Sequence, residues 1–327
     1  MFDYQAIKTA VVARARARLP HPAAPAILMY HRVANETFDP WRLAVTPEVF
    51  AEQLAWLARH RTVLGLGEFV ELRRGRKLPR TAIALTFDDG YACTAEVAAP
   101  MLKEAGMSAT IFIAPEQIRQ GGPFWWDELQ QIVIEHCGTD LVLAGDRIEI
   151  GERQEGDWHL DANREAWTPR QRAFFQLWQR LRTLAPDRLE AAMSELRDQK
   201  SGEAARQPPR LMSAAEVHAI ASGGMEFGSH ALSHSSLPHL SPSERAREIG
   251  DSANACEALS GVRPSSFAYP YGDYDQECEA LVRDAGYECA CTIEESAVRR
   301  NSRLFALPRL QVGNWAPREL AKVLHAA

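Results

Sequence analysis

The stretch Ala82-Ile83-Ala84-Leu85-Thr86-Phe87-Asp88-Asp89-Gly90 joins a short apolar run to two adjacent carboxylates. A run of this length is typical of a buried strand, and α/β folds place their chemistry where parallel strands end. Ser229-His230-Ala231-Leu232-Ser233-His234 follows another such run, at residues 225–228. The sequence therefore predicts that paired carboxylates and paired imidazoles open onto the same end of one sheet.

Apolar, β-branched or aromatic runs recur along the chain and predict further buried strands. The predicted strands cover residues 26–30, 82–87, 110–113, 225–228, 266–269 and 287–292. Helical patterns lie between them, at residues 47–60, 92–105, 214–222, 242–260, 274–285 and 317–325. Because strands and helices alternate, the pattern indicates an α/β fold with a parallel sheet.

Residues 115–212 interrupt this alternation and predict an insertion that caps one end of the sheet as a helical lid. The insertion contains Trp125-Trp126-Asp127 and a long helix-prone segment over residues 169–200. Tryptophans in a lid can stack on sugar faces or seal a small core of their own, and both interpretations stay open. The predicted organisation is an N-terminal basic extension at residues 1–24 and one catalytic domain at residues 25–327.

Charge and hydropathy exclude some classes of function. The 327-residue chain has a net charge of −6, so it lacks the basic excess of a general nucleic-acid-binding protein. No stretch is long and apolar enough to cross a bilayer, and residues 1–24 lack the apolar centre of a secretory signal. We expect a cytoplasmic protein, either with a solvated basic helix at residues 1–24 or with that helix on the inner membrane face.

The acidic and imidazole pairs together predict a metal site. His230 and His234 lie four residues apart, and with one carboxylate they supply three ligands and leave positions open for water. Adjacent Asp88 and Asp89 point in different directions, so one can bind the ion while the other acts as a base. Asp-Gly is also a common turn signal, but it stands here between a strand and a helix. The predicted cofactor is one divalent ion, zinc by default, with nickel, cobalt or iron as alternatives.

Three ordered segments give the chain a specific resemblance. Residues 86–90, residues 229–234 and the segment Arg263 to Gly272 resemble the first three motifs of the polysaccharide deacetylases, the NodB-homology family of carbohydrate esterases. The similarity covers residues 25–115 and 210–315. It implies a distorted (β/α) barrel of the NodB-homology type, with the lid inserted.

The resemblance also implies site residues. It assigns Asp89, His230 and His234 as metal ligands, Asp88 as the catalytic base and the backbone N–H of Tyr271 as an oxyanion donor. From the same cleft we predict substrate contacts by three residues, namely Tyr269, Pro270 and Trp126.

Two departures from the family pattern require substitutes. Many members carry an arginine, paired with the catalytic aspartate, where this chain has Ala268-Tyr269. Arg309, at the end of another apparent strand, is the predicted replacement, unless it is a surface or structural arginine. The family's late Leu-x-His motif, which supplies the general acid, is not evident here, because His325 lies in a predicted helix where we expect it to be exposed.

His31 is the predicted replacement for that acid. It follows the first predicted strand, and a barrel brings its first and last strands together, so this imidazole can fill the space of the late motif. Some deacetylases that act on exopolysaccharides resemble this Tyr-His arrangement. The alternative is that His31 bonds to backbone and fixes the first loop.

These expectations define a metal-dependent N-deacetylase, or less favourably an O-deacetylase, acting on an acetylated amino sugar of a glycan, glycolipid or small molecule. A non-catalytic glycan-binding barrel is one alternative, supported by the missing family arginine. A non-haem iron oxygenase has the same ligand set, but such enzymes usually use an antiparallel jelly roll.

Overall fold

The computed structural model describes residues 24–36, 38–158, 167–200 and 207–327. These residues form twelve strands, numbered in chain order: β1 Ala26–Tyr30, β2 Arg32–Val33, β3 Ala44–Val45, β4 Thr62–Leu64, β5 Ala82–Phe87, β6 Thr110–Ile113, β7 Asp140–Leu143, β8 Asp146–Glu149, β9 Glu226–Ser229, β10 Ser266–Ala268, β11 Cys289–Cys291 and β12 Leu310–Gln311. Eight of them make one sheet in the order β11-β10-β9-β6-β5-β1-β12, with β4 beside β5. Every pairing in this sheet is parallel, as the alternation of strands and helices predicted.

The two edges of the sheet approach each other through the segment before β12. Leu307 forms a parallel bridge to Cys291 of β11, and Leu310 pairs with Leu28 of β1. Residues 307–311 therefore touch both ends of the sheet and curve it into a distorted barrel, which agrees with the predicted fold class.

Both faces of the central strands are buried. Along β1, Leu28 and Tyr30 pack toward the surrounding helices, and Ile27 points to the opposite face with Phe112. Continuous apolar runs suit such strands because neither face meets water. This explains why the runs were recognisable in the sequence although they do not alternate.

Helices pack around the sheet between its strands. Their bounds are Pro47–His60, Leu66–Arg74, Ala99–Glu104, Ala214–Ser222, Pro242–Ser260, Gln276–Asp284 and Pro317–Ala326, with a π-helical turn at Thr94–Ala98 and 3₁₀ turns at Leu237–His239 and Pro270–Gly272. Ser213 and Ser241 cap two of these helices, each through a reciprocal box with a glutamate three residues later. Capping of this kind satisfies backbone N–H groups that have no partner inside the helix.

Residues 115–212 depart from the barrel pattern. They contain the helices Pro115–Gln120, Trp125–Glu135, Pro169–Leu181 and Pro186–Asp198, the antiparallel β7–β8 hairpin and a 3₁₀ turn at Glu155–Trp158. Their apolar side chains, such as Leu129, Ile132 and Phe174, form a core separate from those of the barrel, which Phe38 of the first barrel loop joins. These helices and the hairpin form the inserted helical lid.

Several predicted elements differ from the structure. The helix-prone segment over residues 169–200 is two helices, because Pro186 begins the second one after the chain turns. The sequence prediction also missed β4 and the helix Leu66–Arg74. Arg309 lies just before β12 instead of at the end of a strand.

None of the helices within the described residues is long and apolar enough to cross a membrane. The predicted basic helix with its membrane contact falls on residues 1–24, of which all but residue 24 lie outside the described part of the chain. That contact and the cytoplasmic location stay predictions.

Candidate functional site

The end of β5 places two carboxylates at the carboxyl edge of the sheet. Tyr30 of β1 pairs with Phe87 of β5, so His31 and Asp88 leave neighbouring strands at the same level. Asp88 donates its backbone N–H to the Tyr30 carbonyl at 3.0 Å. Asp89 has a φ of 75°, a left-handed conformation that is rare for a side chain other than glycine. Such strain is concentrated at functional sites, and here it turns the two carboxylates in different directions.

The end of β9 places two imidazoles opposite them. His230 Nδ1 lies 2.7 Å from the Ala268 carbonyl, which accepts its hydrogen and leaves Nε2 free to bind a metal. Ala231 and His234 both have positive φ, at 60° and 64°. This tight loop returns the second imidazole to the first, and their ring centroids lie 4.6 Å apart.

Three donor atoms converge on one point. Asp89 Oδ1 lies 3.6 Å from His230 Nε2 and 3.2 Å from His234 Nε2, and all three ligand atoms lie within 4.8 Å of one another. All three side chains are buried. Burial, and then the neighbouring His234, lower the pKa of His230 to about 4. This imidazole is therefore neutral near pH 7, the form that binds metal ions.

The chemistry of this donor set fits a divalent ion. Two neutral imidazoles and one carboxylate form the protein part of many zinc and iron sites, and they leave positions for water or substrate. Burial raises the pKa of Asp89, but the surrounding imidazoles lower it by more. The pKa of this carboxyl is therefore below its usual value, and the group is ionised, as a metal ligand must be.

Asp88 is held by a buried arginine. Arg309 Nη1 donates to Asp88 Oδ1 at 2.7 Å and Arg309 Nη2 donates to Oδ2 at 2.6 Å. Two further donations, to the Thr292 carbonyl and Thr86 Oγ1, fix the guanidinium. Burial raises the pKa of Asp88, but Arg309 and then His230 lower it by more, so the pKa of this carboxyl is below its usual value. Asp88 is thus an oriented carboxylate beside the three candidate ligands and separate from them.

His31 lies close enough to lower the pKa of both carboxyls. Its Nδ1 is buried and has no hydrogen-bond partner among the described residues. The structure therefore places the imidazole near both carboxylates with its Nδ1 uncommitted.

Tyr271 lies in a 3₁₀ turn after β10 and has a φ of 58°. The turn's hydrogen bonds are donated by Gly272 to Tyr269 and by Asp273 to Pro270, so neither of them uses the Tyr271 N–H. Its ring packs 4.6 Å from the His234 ring.

The lid covers this centre with aromatic side chains. The Trp126 ring lies 4.8 Å from the His234 ring, and Trp125 donates its indole N–H to the Tyr271 hydroxyl at 3.2 Å. Trp178 meets the Tyr271 ring from a second lid helix. The tryptophans therefore line the site and also pack on one another, and their stacking on a sugar stays a prediction.

The structure does not support two of the predicted substrate contacts. Tyr269 is fully buried, stacks on Tyr274 and donates its hydroxyl to the Phe305 carbonyl. Side chains alternate along β10, so Tyr269 follows Phe267 toward the outer helices and away from the cleft. Pro270 is also buried in the turn. The third residue, Trp126, lies at the site as described above.

Sequence reasoning missed a second polar group at the same end of the barrel. Asp127 is buried and accepts a hydrogen bond from Tyr91, whose hydroxyl accepts one from Trp126. Arg32 lies over the Tyr91 ring. Signals were present, because Arg32 follows His31 and Asp127 follows the tryptophan pair, but nothing in the sequence brings these segments together.

Glu248 supports the loop between the two imidazoles. From the helix Pro242–Ser260 its carboxylate accepts the N–H groups of Leu232 and Ser233, at 3.0 and 2.8 Å, and the Ser233 hydroxyl. His325, in contrast, lies exposed on the last helix, where its Nδ1 contacts the Ala321 carbonyl.

Similarity to solved structures shows the fold. The Streptococcus pyogenes deacetylase PplD aligns with a TM-score of 0.61 at 17% identity, over 93% of this chain and 99% of that one. IcaB from Ammonifex degensii aligns with a TM-score of 0.58 at 17% identity, over 93% of this chain and 98% of that one. A de-N-acetylase from Aggregatibacter actinomycetemcomitans aligns with a TM-score of 0.55 at 13% identity, over 91% of this chain and 99% of that one.

Sequence comparison gives the family. The Bacillus subtilis (strain 168) protein YxkH, which is assigned to the polysaccharide deacetylases, is 32% identical over 99 residues. That alignment spans 30% of this chain and 34% of YxkH, so the chain matches about a third of this relative's length. The family profile described as polysaccharide deacetylase matches residues 75–137 and 190–290, half of the chain. The chain belongs to the polysaccharide deacetylase family.

Proposed function

We propose that this protein is a metal-dependent N-deacetylase that hydrolyses the acetamido group of an amino sugar in a glycan, glycolipid or sugar-containing small molecule. The observation that carries the proposal is the bidentate Arg309–Asp88 pair beside the Asp89, His230 and His234 cluster. Hydrolysis of an amide needs a base, a Lewis acid that polarises the carbonyl, and a proton donor. Asp88 would be the base, and the cluster would hold the Lewis-acidic ion.

Each role follows from the chemistry of one group. An ion held by Asp89, His230 and His234, zinc by default, would supply Lewis acidity and a polarised water. Asp88 takes the proton of the attacking water, and Arg309 keeps that carboxylate ionised and oriented. The N–H of Tyr271 donates to the oxygen that becomes negative in the tetrahedral intermediate.

His31 is proposed as the acid. Collapse of the tetrahedral intermediate requires a proton on the nitrogen, because an amide anion is a poor leaving group. Asp88 and His31 leave adjacent strands at the same level. Their neighbouring positions at the strand ends support the proposal that the base and the acid serve one substrate.

The geometry favours this activity over the alternatives. The main sheet is parallel, whereas the iron oxygenases that share the ligand set usually use antiparallel jelly rolls. The missing family arginine, which had supported a glycan-binding barrel without catalysis, is matched by Arg309 from another segment. O-deacetylation uses the same groups, with less need for an acid.

Metal content and acetate release test the assignment together. Asp89→Asn, His230→Ala and His234→Ala should lower metal content, whereas Asp88→Asn should keep the ion and lose most acetate release from N-acetylated sugars. Elemental analysis of the four purified variants gives the first readout. If only Asp88→Asn lost the ion, the two aspartates would have the opposite roles.

The acid is tested by comparing two leaving groups. His31→Gln should keep the metal and the fold but lose about 10²–10⁴ in turnover of an N-acetylated amino sugar, the usual contribution of general acid–base catalysis. It should lose much less on an aryl acetate, whose phenolate leaves with little protonation. Equal losses on both substrates would show that His31 positions the site without donating the proton.

A further inference from the structure

The two imidazoles of the candidate metal site are held in different ways. His230 Nδ1 bonds the Ala268 carbonyl at 2.7 Å, which fixes the ring with Nε2 3.6 Å from Asp89 Oδ1. His234 Nδ1 is also buried, but it has no hydrogen-bond partner among the described residues. A histidine that binds a metal ordinarily donates its second N–H to a carboxylate, a carbonyl or water, and this bond sets the orientation of the ring. Among the described residues, only packing can orient the His234 ring.

Three aromatic side chains surround the His234 ring. Their ring centroids lie 4.6, 4.8 and 5.3 Å away, for Tyr271, Trp126 and Phe124 in that order. Phe124 also stacks on Trp126, with nearly parallel rings 4.1 Å apart. Tyr271 belongs to the barrel, whereas Trp126 and Phe124 lie at the start of the lid helix Trp125–Glu135. Two of the three rings that confine this candidate ligand therefore come from the inserted lid.

Trp126 is fixed by a buried chain of hydrogen bonds. Its indole N–H donates to the Tyr91 hydroxyl at 2.9 Å, and that hydroxyl donates to Asp127 at 2.8 Å. Tyr91 and Asp127 are both buried. Tyr91 follows the candidate ligand Asp89 by two residues and forms an antiparallel bridge to Leu211, where the chain returns from the lid. The indole is thus tied to the barrel segment that carries the carboxylate of the cluster.

We propose that Trp126, held by Tyr91, is a positioning residue for His234, so that the lid completes the metal site that the barrel begins. The inference rests on the proposed function, because that function assigns an ion to this cluster. Packing of the indole against the imidazole limits rotation of the imidazole, and the hydrogen bond to Tyr91 keeps the indole in place. Without this constraint, metal binding would have to order the His234 ring, and the entropy lost in ordering it would lower metal affinity.

Zinc affinity, measured by competition with a chelator in the absence of substrate, tests this role. Trp126→Ala should lower the affinity about 10–100-fold, the usual effect of removing a group that orients a metal ligand. Trp126→Phe keeps a ring but loses the indole N–H, so its affinity should lie between those of the wild type and Trp126→Ala. Trp167→Ala is the matched control and should bind zinc as the wild type does, because that indole stacks on Phe175 within the lid. Equal zinc affinity in Trp126→Ala and the wild type would overturn the proposal.

Two histidine backgrounds distinguish positioning of one ligand from a general loss of packing. In His234→Ala the side chain that Trp126 positions is absent, so adding Trp126→Ala should cost no further zinc affinity. In His230→Ala the His234 ring is still present, so adding Trp126→Ala should cost the same factor as in the wild type. The positioning role is overturned if the further losses are equal in the two backgrounds.

Tyr91→Phe tests the anchor. It keeps the ring and removes the hydroxyl that receives the indole N–H, so zinc affinity should fall by a factor similar to that of Trp126→Phe. Because both variants break the same hydrogen bond, the double variant should bind zinc no more weakly than either single variant. Losses that multiply in the double variant would show that Tyr91 acts through neighbouring Asp89, and they would refute the anchor.

Folding and acetate release keep this inference separate from the proposed function. Each metal-free variant should unfold cooperatively in urea, and Trp126→Phe with Tyr91→Phe carries the test if Trp126→Ala does not fold. Acetate release from the trimer of N-acetylglucosamine, with zinc affinity unchanged by the Trp126 and Tyr91 substitutions, would keep the function and refute the positioning role. Absence of acetate release together with the expected affinity losses would refute the function and keep the positioning role.

Discussion

Arg309 is the residue on which the proposed catalytic carboxylate depends. It reaches Asp88 from a segment more than 200 positions away, and both side chains are almost fully buried. Removing one partner of such a pair leaves an unpaired charge, which costs about 3–5 kcal/mol. Arg309→Met should therefore destabilise the protein by that amount and lower turnover at least 100-fold, as measured by urea unfolding and acetate release.

The pH profile distinguishes catalysis from stability. Without the guanidinium the pKa of Asp88 rises, so the acidic limb of kcat in Arg309→Met should move to higher pH. Arg309→Lys keeps the charge without the bidentate geometry and should lie between the two proteins. A Met variant with wild-type turnover and an unmoved acidic limb would contradict the orienting role.

Asp127 gives a prediction about stability and pH. Burial raises its pKa from 3.8 to about 7, and the charges of Asp89 and Glu36 add to the shift, which Arg32 and the Tyr91 hydroxyl oppose. Between these two pKa values Asp127 is protonated in the folded protein and ionised in the unfolded chain. Its contribution to the free energy of unfolding therefore falls as pH rises from about 4 to about 7. The whole shift corresponds to about 4 kcal/mol.

Asp127→Asn removes that titration. In the metal-free protein, its free energy of unfolding relative to the wild type should increase between pH 4.5 and pH 7.5 by a few kcal/mol, as urea titrations at both values would measure. The same substitution at exposed Asp146 is the control. A difference between Asn variant and wild type that is independent of pH would mean that Asp127 is ionised throughout.

Local sequence patterns predicted some residues and not others. The candidate ligand set, which the structure brings together, was visible because Asp89, His230 and His234 lie within two short motifs that follow recognisable strands. Tyr269 was wrongly assigned to the cleft, since the direction of a side chain depends on where β10 starts its alternation. The hydrogen bond from Tyr91 to Asp127 depends on how the lid docks, which no local pattern encodes.

Among the elements, strong caps and continuous apolar runs were predictable. The helices Pro47–His60, Ala214–Ser222 and Pro242–Ser260 have the predicted bounds because a threonine or serine cap begins each one. Short strands without a run, such as β4 and β12, were not recognised. Their strand conformation depends on the neighbours β5 and β1, because two or three residues carry too little periodicity.

The helix Pro242–Ser260 supports the loop of the candidate metal site through Glu248. Glu248→Ala would leave the buried N–H groups of Leu232 and Ser233 unpaired, which costs about 1–3 kcal/mol for each group. The loop carries His234, so metal affinity should fall about 10–100-fold, as changes in supporting hydrogen bonds typically do. Competition with a chelator measures that affinity.

Glu248→Gln is the matched control, because its amide oxygen can accept the same two N–H groups. It should keep most of the metal affinity. The positioning role would be refuted by an Ala variant that binds metal as tightly as the wild type.

At the scale of the molecule, the lid joins the barrel at the proposed oxyanion turn. Arg182, which follows the helix Pro169–Leu181, bonds Asp273 at 2.5 Å and lies 5.8 Å over the Tyr271 ring. Asp273 also accepts a hydrogen bond from the Ser236 hydroxyl, in the loop that follows His234. One carboxylate therefore links the lid, the Tyr271 turn and the histidine loop. The sequence indicated a lid, but not this contact, because its partners come from three distant segments.

This contact predicts coupling between lid closure and turnover. Arg182→Met should loosen the lid, so that hydrogen exchange in the helix Trp125–Glu135 accelerates. Because Tyr271 loses part of its support, kcat on an N-acetylated sugar should fall about 10-fold while metal content stays constant.

Asp273→Asn should have a similar effect on kcat. If the two side chains act through their mutual contact, kcat of the double variant should be little lower than kcat of either single variant. The interaction energy, which is the difference between the double variant's loss and the sum of the two single losses, should then be about 1–3 kcal/mol. Independent losses that multiply in the double variant, or unchanged hydrogen exchange in the lid, would show that Arg182 and Asp273 do not hold the lid on the barrel.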